Sequence, residues 1–193
     1  GDELGKSSLE LACPYVCPAG KYGDATGSTN INLACPSTCK RGTFGTASAG
    51  SSESAACGIN CPKGKFGIAS GQSSEADACE ICAAGKYANV EAADVCTDCP
   101  AGTSLDDDKS SAQKHDNVND CLICLQGKYS DAGAQSCTDC IPGRFIADRG
   151  RISDFHMSAD ACLKCPTGEW SSPDLPGAFE CITCETSTWC IGE

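Results

Sequence analysis

Apolar side chains come singly along this chain, separated by runs of Gly, Ser, Ala, Asp and Thr, and no window repeats them at the i, i+3, i+4, i+7 spacing of an amphipathic helix. Long helices are therefore not expected. What recurs is a short phrase, C-x(2,3)-C-x-x-G-x-[YFW]. Its glycine admits a backbone angle closed to other residues, which predicts a turn, and the aromatic that follows predicts a short extended segment leaving the turn to cover a disulfide. Each repeat should then be a small two-stranded element. A lone hairpin is marginal in water, so each must lean on its neighbours and its crosslink.

Nine close cysteine pairs carry the phrase: Cys13/Cys17, Cys35/Cys39, Cys57/Cys61, Cys79/Cys82, Cys96/Cys99, Cys121/Cys124, Cys137/Cys140, Cys162/Cys165 and Cys181/Cys184, with Cys190 alone at the end. The glycines are Gly20, Gly42, Gly64, Gly85, Gly102, Gly127, Gly143 and Gly168; the aromatics are Tyr22, Phe44, Phe66, Tyr87, Tyr129, Phe145 and Trp170. The fifth unit has Ser104 in place of the aromatic, and the ninth has Ser187 for glycine but keeps Trp189. This is a tandem repeat. Residues 1–12 match no unit and read as a tail or the end of a preceding module. Residues 13–78 hold three regular 22-residue units, 79–180 five irregular ones that alternate short and long, and 181–193 a partial unit.

Composition explains why cysteine dominates. Leu, Ile, Val and Phe make up only 28 of 193 residues, too few for an ordinary core, whereas cysteine makes up 19. The expected fold class is small, disulfide-rich and mostly irregular with short β-hairpins, an elongated tandem-repeat rod held as a disulfide ladder. Such usage places the chain in the secretory pathway, extracellular or at the cell surface. A net charge of −12 with 14 basic residues argues against nucleic acid, and no apolar run is long enough for membrane insertion. A start at Gly1 rather than Met is read as a removed leader or an excerpt from a longer chain.

Two pairing schemes are open. In the first, the second cysteine of each unit bonds the first of the next: Cys17–Cys35, Cys39–Cys57, Cys61–Cys79, Cys82–Cys96, Cys99–Cys121, Cys124–Cys137, Cys140–Cys162, Cys165–Cys181 and Cys184–Cys190. Cys13 is then unpaired or intermolecular. In the second, each close pair bonds internally and Cys190 is left over. The first is favoured because short internal links remove little entropy from the unfolded chain, whereas a loop of about 18 residues gives roughly 3 kcal/mol.

C-P-A-G-K-Y at Cys17 to Tyr22, C-P-K-G-K-F at Cys61 to Phe66 and C-A-A-G-K-Y at Cys82 to Tyr87 resemble the ephrin-receptor-like cysteine-rich repeat. They are also similar to the one-disulfide module of tumour necrosis factor receptors, in the wider EGF-like style. The resemblance runs from residue 13 to 190. It implies a string of joints with two close cysteines each, supplies no catalytic residues, and suits receptor ectodomains, protist surface antigens and extracellular filaments alike.

Other chemistry is weaker. Cys121, Cys124, Cys137 and Cys140 have a spacing close to a zinc ribbon, but the same pairs recur along the whole chain with a shared G-x-aromatic that a zinc site does not need. Asp106, Asp107, Asp108, Asp116 and Asp120 offer oxygens to calcium, yet lack the glycine and glutamate of a helix-loop-helix site, so a solvated loop is the default. The basic run Arg144, Arg149 and Arg151 is a surface that opposite charge on a neighbouring chain can meet. His115 and His156 read as ordinary surface histidines. No N-x-[ST] sequon is present, and Thr26 to Thr29, Thr46 to Ser54 and Ser70 to Ser74 are candidate acceptors for O-linked glycans.

No cofactor and no catalysis are expected. The leading expectation is a structural protein whose partners are copies of itself, polymerising into a filament, coat or appendage; the alternative is a ligand-binding ectodomain of a receptor or adhesion protein.

Overall fold

A computed structural model of the chain describes residues 16–23, 30–48, 50–171 and 180–183. Cys13, Thr26 to Thr29, Trp189 and the expected Cys184–Cys190 bond lie outside the described residues. Two compact units partition the chain, Gly1–Cys82 with Ala88–Cys96, and Ala83–Tyr87 with Thr97–Glu193.

The repeat phrase builds the same local structure eight times. The carbonyl of the residue after the second cysteine accepts from the N–H three positions on, as in Pro18 from Lys21 (3.0 Å), Pro62 from Lys65 (3.1 Å) and Leu125 from Lys128 (3.1 Å). The intervening glycine sits at positive φ, 80° at Gly20 and 74° at Gly127, which makes a type II turn. The strand leaving the turn pairs antiparallel with the strand between the next two cysteines. Thr43 then faces Asn60 and Phe44 faces Ile59, while Lys128 faces Asp139 and Tyr129 faces Thr138. Eight separate two-stranded sheets result among the described residues. A further bond ties repeat to repeat: the N–H of the second cysteine donates to the glycine carbonyl of the preceding turn, as at Cys61 to Gly42 (2.8 Å) and Cys140 to Gly127 (2.8 Å).

Eight disulfides join these hairpins, Cys17–Cys35, Cys39–Cys57, Cys61–Cys79 and Cys82–Cys96 in the first unit, Cys99–Cys121, Cys124–Cys137, Cys140–Cys162 and Cys165–Cys181 in the second. Each links the second cysteine of one repeat to the first of the next. The fold is thus a small, disulfide-rich, irregular tandem repeat. Its interior is largely sulfur: half-cystines dominate the buried set, and Phe44, Leu105 and Ile146 are the only large hydrocarbon side chains buried among the described residues.

The aromatics do not cover the disulfide that closes their own loop. Tyr22 packs on Cys39–Cys57, Phe44 on Cys61–Cys79 and Phe66 on Cys82–Cys96 in the first unit. In the second, Tyr87 packs on Cys99–Cys121 and Tyr129 on Cys140–Cys162. Each ring therefore reaches forward one repeat, which makes neighbouring repeats interdependent.

Three one-turn helices, Ile31–Ala34, Glu53–Ala56 and Glu75–Ala78, end against the first cysteine of a pair in the first unit. Their caps, Asn30, Ser52 and Ser74, recur at the 22-residue period and accept N–H bonds from Asn32, Ala55 and Asp77. In the second unit the two long loops take the same position with three-residue 3-10 turns, Val118–Asp120 capped by Asn117 and Ala159–Ala161 capped by Ser158.

Candidate functional site

Both histidines are 0 % exposed, which corrects their reading as surface residues. They occupy equivalent places in the two long loops. Nδ1 of His115 donates to the carbonyl of Lys86 at 2.8 Å, and Nε2 faces Oδ2 of Asp107 at 3.1 Å. One long loop later, Nδ1 of His156 donates to the carbonyl of Lys128 at 2.6 Å and Nε2 faces Oδ2 of Asp148 at 3.1 Å. A carbonyl only accepts, so Nδ1 is the donor at each ring, and Nε2 lies against the carboxylate. Each imidazole thus bolts its loop to the first strand of the hairpin before it.

The carboxylates are fixed in turn. Asp107 accepts from the Ser110 N–H (2.9 Å) and hydroxyl and from Lys114 Nζ (2.8 Å), and these bonds, Lys114 first, hold its pKa well below the usual carboxylate range. Asp148 accepts from the N–H groups of Arg151 (2.8 Å) and Ile152 (3.3 Å), and the Arg151 bond, then His156, lowers its pKa as well. No buried side-chain nitrogen or oxygen lacks a partner among the described residues. A catalytic imidazole needs a free nitrogen aimed at a substrate, and neither ring keeps one.

The acidic set singled out for calcium is dispersed. Asp107 turns inward to His115, Asp120 Oδ2 accepts from the Asn117 N–H at 2.9 Å as part of a capping box, and Asp106 and Asp108 stand exposed. Among the described residues no three His, Cys, Asp or Glu side chains gather as a metal site. Cys121, Cys124, Cys137 and Cys140, the zinc-ribbon quartet, are all committed to disulfides. Arg144 reaches the Cys162 carbonyl at 2.8 Å, while Arg149 and Arg151 flank the Asp148 turn.

What the surface does present is hydrocarbon. Leu122, Leu163 and Ile182 each open the strand between a cysteine pair in the second unit, Leu125 follows the second cysteine of the pair that encloses Leu122, and Ile141 follows that of Cys137/Cys140; all five are more than half exposed. These are repeat positions, so the exposure recurs with the ladder.

Residues 67–116, about a quarter of the chain, match the sequence model of the family described as tyrosine-protein kinase ephrin type A/B receptor-like. Over those residues the chain fits an ephrin-receptor-like cysteine-rich repeat. The matched stretch takes in the Cys79/Cys82 and Cys96/Cys99 pairs, the Gly85 and Gly102 turns, and both His115 and Asp107. No curated protein matches the chain. The matched stretch and the eight disulfides together fit an extracellular or secreted cysteine-rich module. No helix among the described residues is long and apolar enough to cross a membrane.

Proposed function

We propose that this ephrin-receptor-like repeat is a non-catalytic structural module that associates with copies of itself into a filament, surface coat or appendage. One observation carries the reading. A fold with very little hydrocarbon to bury leaves Leu122, Leu125, Ile141, Leu163 and Ile182 in water at recurrent positions of one unit, where their burial against another copy would be favourable. The bonded cysteines and the fully engaged histidines support a mechanical rather than chemical role. Neither nucleic acid nor a membrane fits a chain of net charge −12 as partner.

Sedimentation velocity and negative-stain electron microscopy of the oxidised chain test this. Concentration-dependent association into ordered polymers is expected, and Leu122→Asp with Leu163→Asp should disperse them without altering the disulfides. A chain that stays monomeric at tens of micromolar and instead captures a soluble ligand would overturn the proposal in favour of a receptor or adhesion ectodomain.

A further inference from the structure

The fifth repeat breaks a pattern seen at five disulfides, in which the ring of the repeat before covers the bond. Where Tyr129 lies on Cys140–Cys162, the recess bounded by Tyr129, Ile141, Arg144, Asp160 and Cys162 holds only about 170 Å³. At the preceding disulfide, Cys124–Cys137, the equivalent residues are Ser104, Leu125, Lys128, Gln135 and Cys137, and the recess opens to about 790 Å³. The Ser104 hydroxyl contacts Cys137 Sγ at 3.3 Å, so it points at the sulfur that a ring would cover, but it leaves the space empty of hydrocarbon. Val118, Leu122 and Ile123 complete an apolar wall. A hollow of this size is in the range that takes a bound group, with room for a ring and the backbone that carries it.

The same chain holds a ring without a seat. Phe155, 55 % exposed, is the only aromatic side chain standing exposed among the described residues. It projects from the 3-10 turn Ser153–His156, whose last residue is the buried, doubly bonded His156. The turn is therefore fixed, and little entropy remains to be lost when the ring is captured.

We propose that the hollow beside Ser104 receives the Phe155 ring of a second copy, replacing in trans the ring that the fifth repeat lacks. The inference rests on the self-association proposed above and names its anchor. Because seat and ring are different residues of one chain, each copy has one to give and one to take, the condition for a contact that can propagate. Exposed Leu122 and Leu125 at the rim would shield the buried ring from water, as the surround of an interface anchor does.

Complementation decides it. Ser104→Tyr restores the residue type of the other repeats and fills the seat, and Phe155→Ala removes the ring; near-ultraviolet circular dichroism and non-reducing gels report that both fold. Sedimentation velocity should show each variant alone associating about 30-fold more weakly than the unaltered chain, an effect of anchor size. An equimolar mixture should recover a one-to-one complex, since Phe155→Ala keeps the seat and Ser104→Tyr keeps the ring. Undiminished association of both variants would overturn this contact while leaving self-association standing. Weakened variants that fail to complement would overturn the pairing of Phe155 with this hollow, and an unaltered chain that never associates would overturn both proposals.

Discussion

The two halves of the ladder solve the same closure problem differently. In the first unit the loops closed by Cys17–Cys35, Cys39–Cys57 and Cys61–Cys79, each with a sequence separation of 18, end in the capped one-turn helices Ile31–Ala34, Glu53–Ala56 and Glu75–Ala78. In the second, separations of 13 and 22 alternate from Cys124–Cys137 to Cys140–Cys162, and each 22-residue loop is fixed by a buried histidine. A short loop is held by its disulfide and turn. A longer one has backbone that the disulfide alone does not fix, and the His–Asp bolt supplies the missing constraint.

That contrast breaks most sharply at the bolts. His115→Ala should cost about 3 kcal/mol, because it leaves a cavity and strips the Lys86 carbonyl of its donor; His156→Ala should act the same way on Lys128. Native-state hydrogen exchange should show the loss confined to residues of the second unit, with the amides of Cys39 and Cys61 unchanged. Acid should act on the same places. Asp107 and Asp148 have folded pKa values lowered from 3.8, so their contribution is present above that value and lost as the pH falls through the folded pKa. Exchange measured in a pH series should loosen the two long loops first in strongly acidic solution, and Asp107→Asn should flatten the response at the first bolt.

Next in size are the glycines. Gly85 and Gly143 occupy the same repeat position at φ of 76° and 81°, yet a Cβ on Gly85 would lie 2.1 Å from the Gly133 carbonyl oxygen, whereas one on Gly143 meets nothing within 4 Å among the described residues. Gly143→Ala should therefore carry only the left-handed backbone penalty, about 1–2 kcal/mol, and Gly85→Ala clearly more. Equal effects in denaturant titration would show that close packing of chain segments is not part of the glycine requirement. The smallest effect belongs to the caps of the regular half: Ser74→Ala should cost about 1 kcal/mol, read as faster exchange at Ala78.

The hairpins were legible because glycine and an aromatic at a fixed offset from cysteine encode a turn and the strand after it, and the structure has both. The forward reach of the rings was not. That an aromatic would cover sulfur follows from its chemistry, but which sulfur depends on how repeats stack, a relation no single phrase contains. The one-turn helices escaped because four residues are too few to show a period; Asn30, Ser52 and Ser74 at constant spacing were the available sign. The histidines were misread because each was weighed by its own polar neighbours. Taken together they show the same step from aspartate to histidine in both long loops, Asp107 to His115 and Asp148 to His156, ahead of the cysteine that closes each loop. The acidic cluster suggested a cation because sequence lists carboxylates without their directions, and Asp107 points to a histidine inside the fold.

Disulfides stand in this fold where a hydrocarbon core would otherwise be. The most direct test is a proton–nitrogen correlation spectrum of the chain at neutral pH, recorded before and after complete reduction in the presence of a chelator. Loss of dispersion to that of an unfolded polypeptide is the predicted result. A reduced, metal-free chain that keeps the dispersed spectrum of the oxidised one would contradict it.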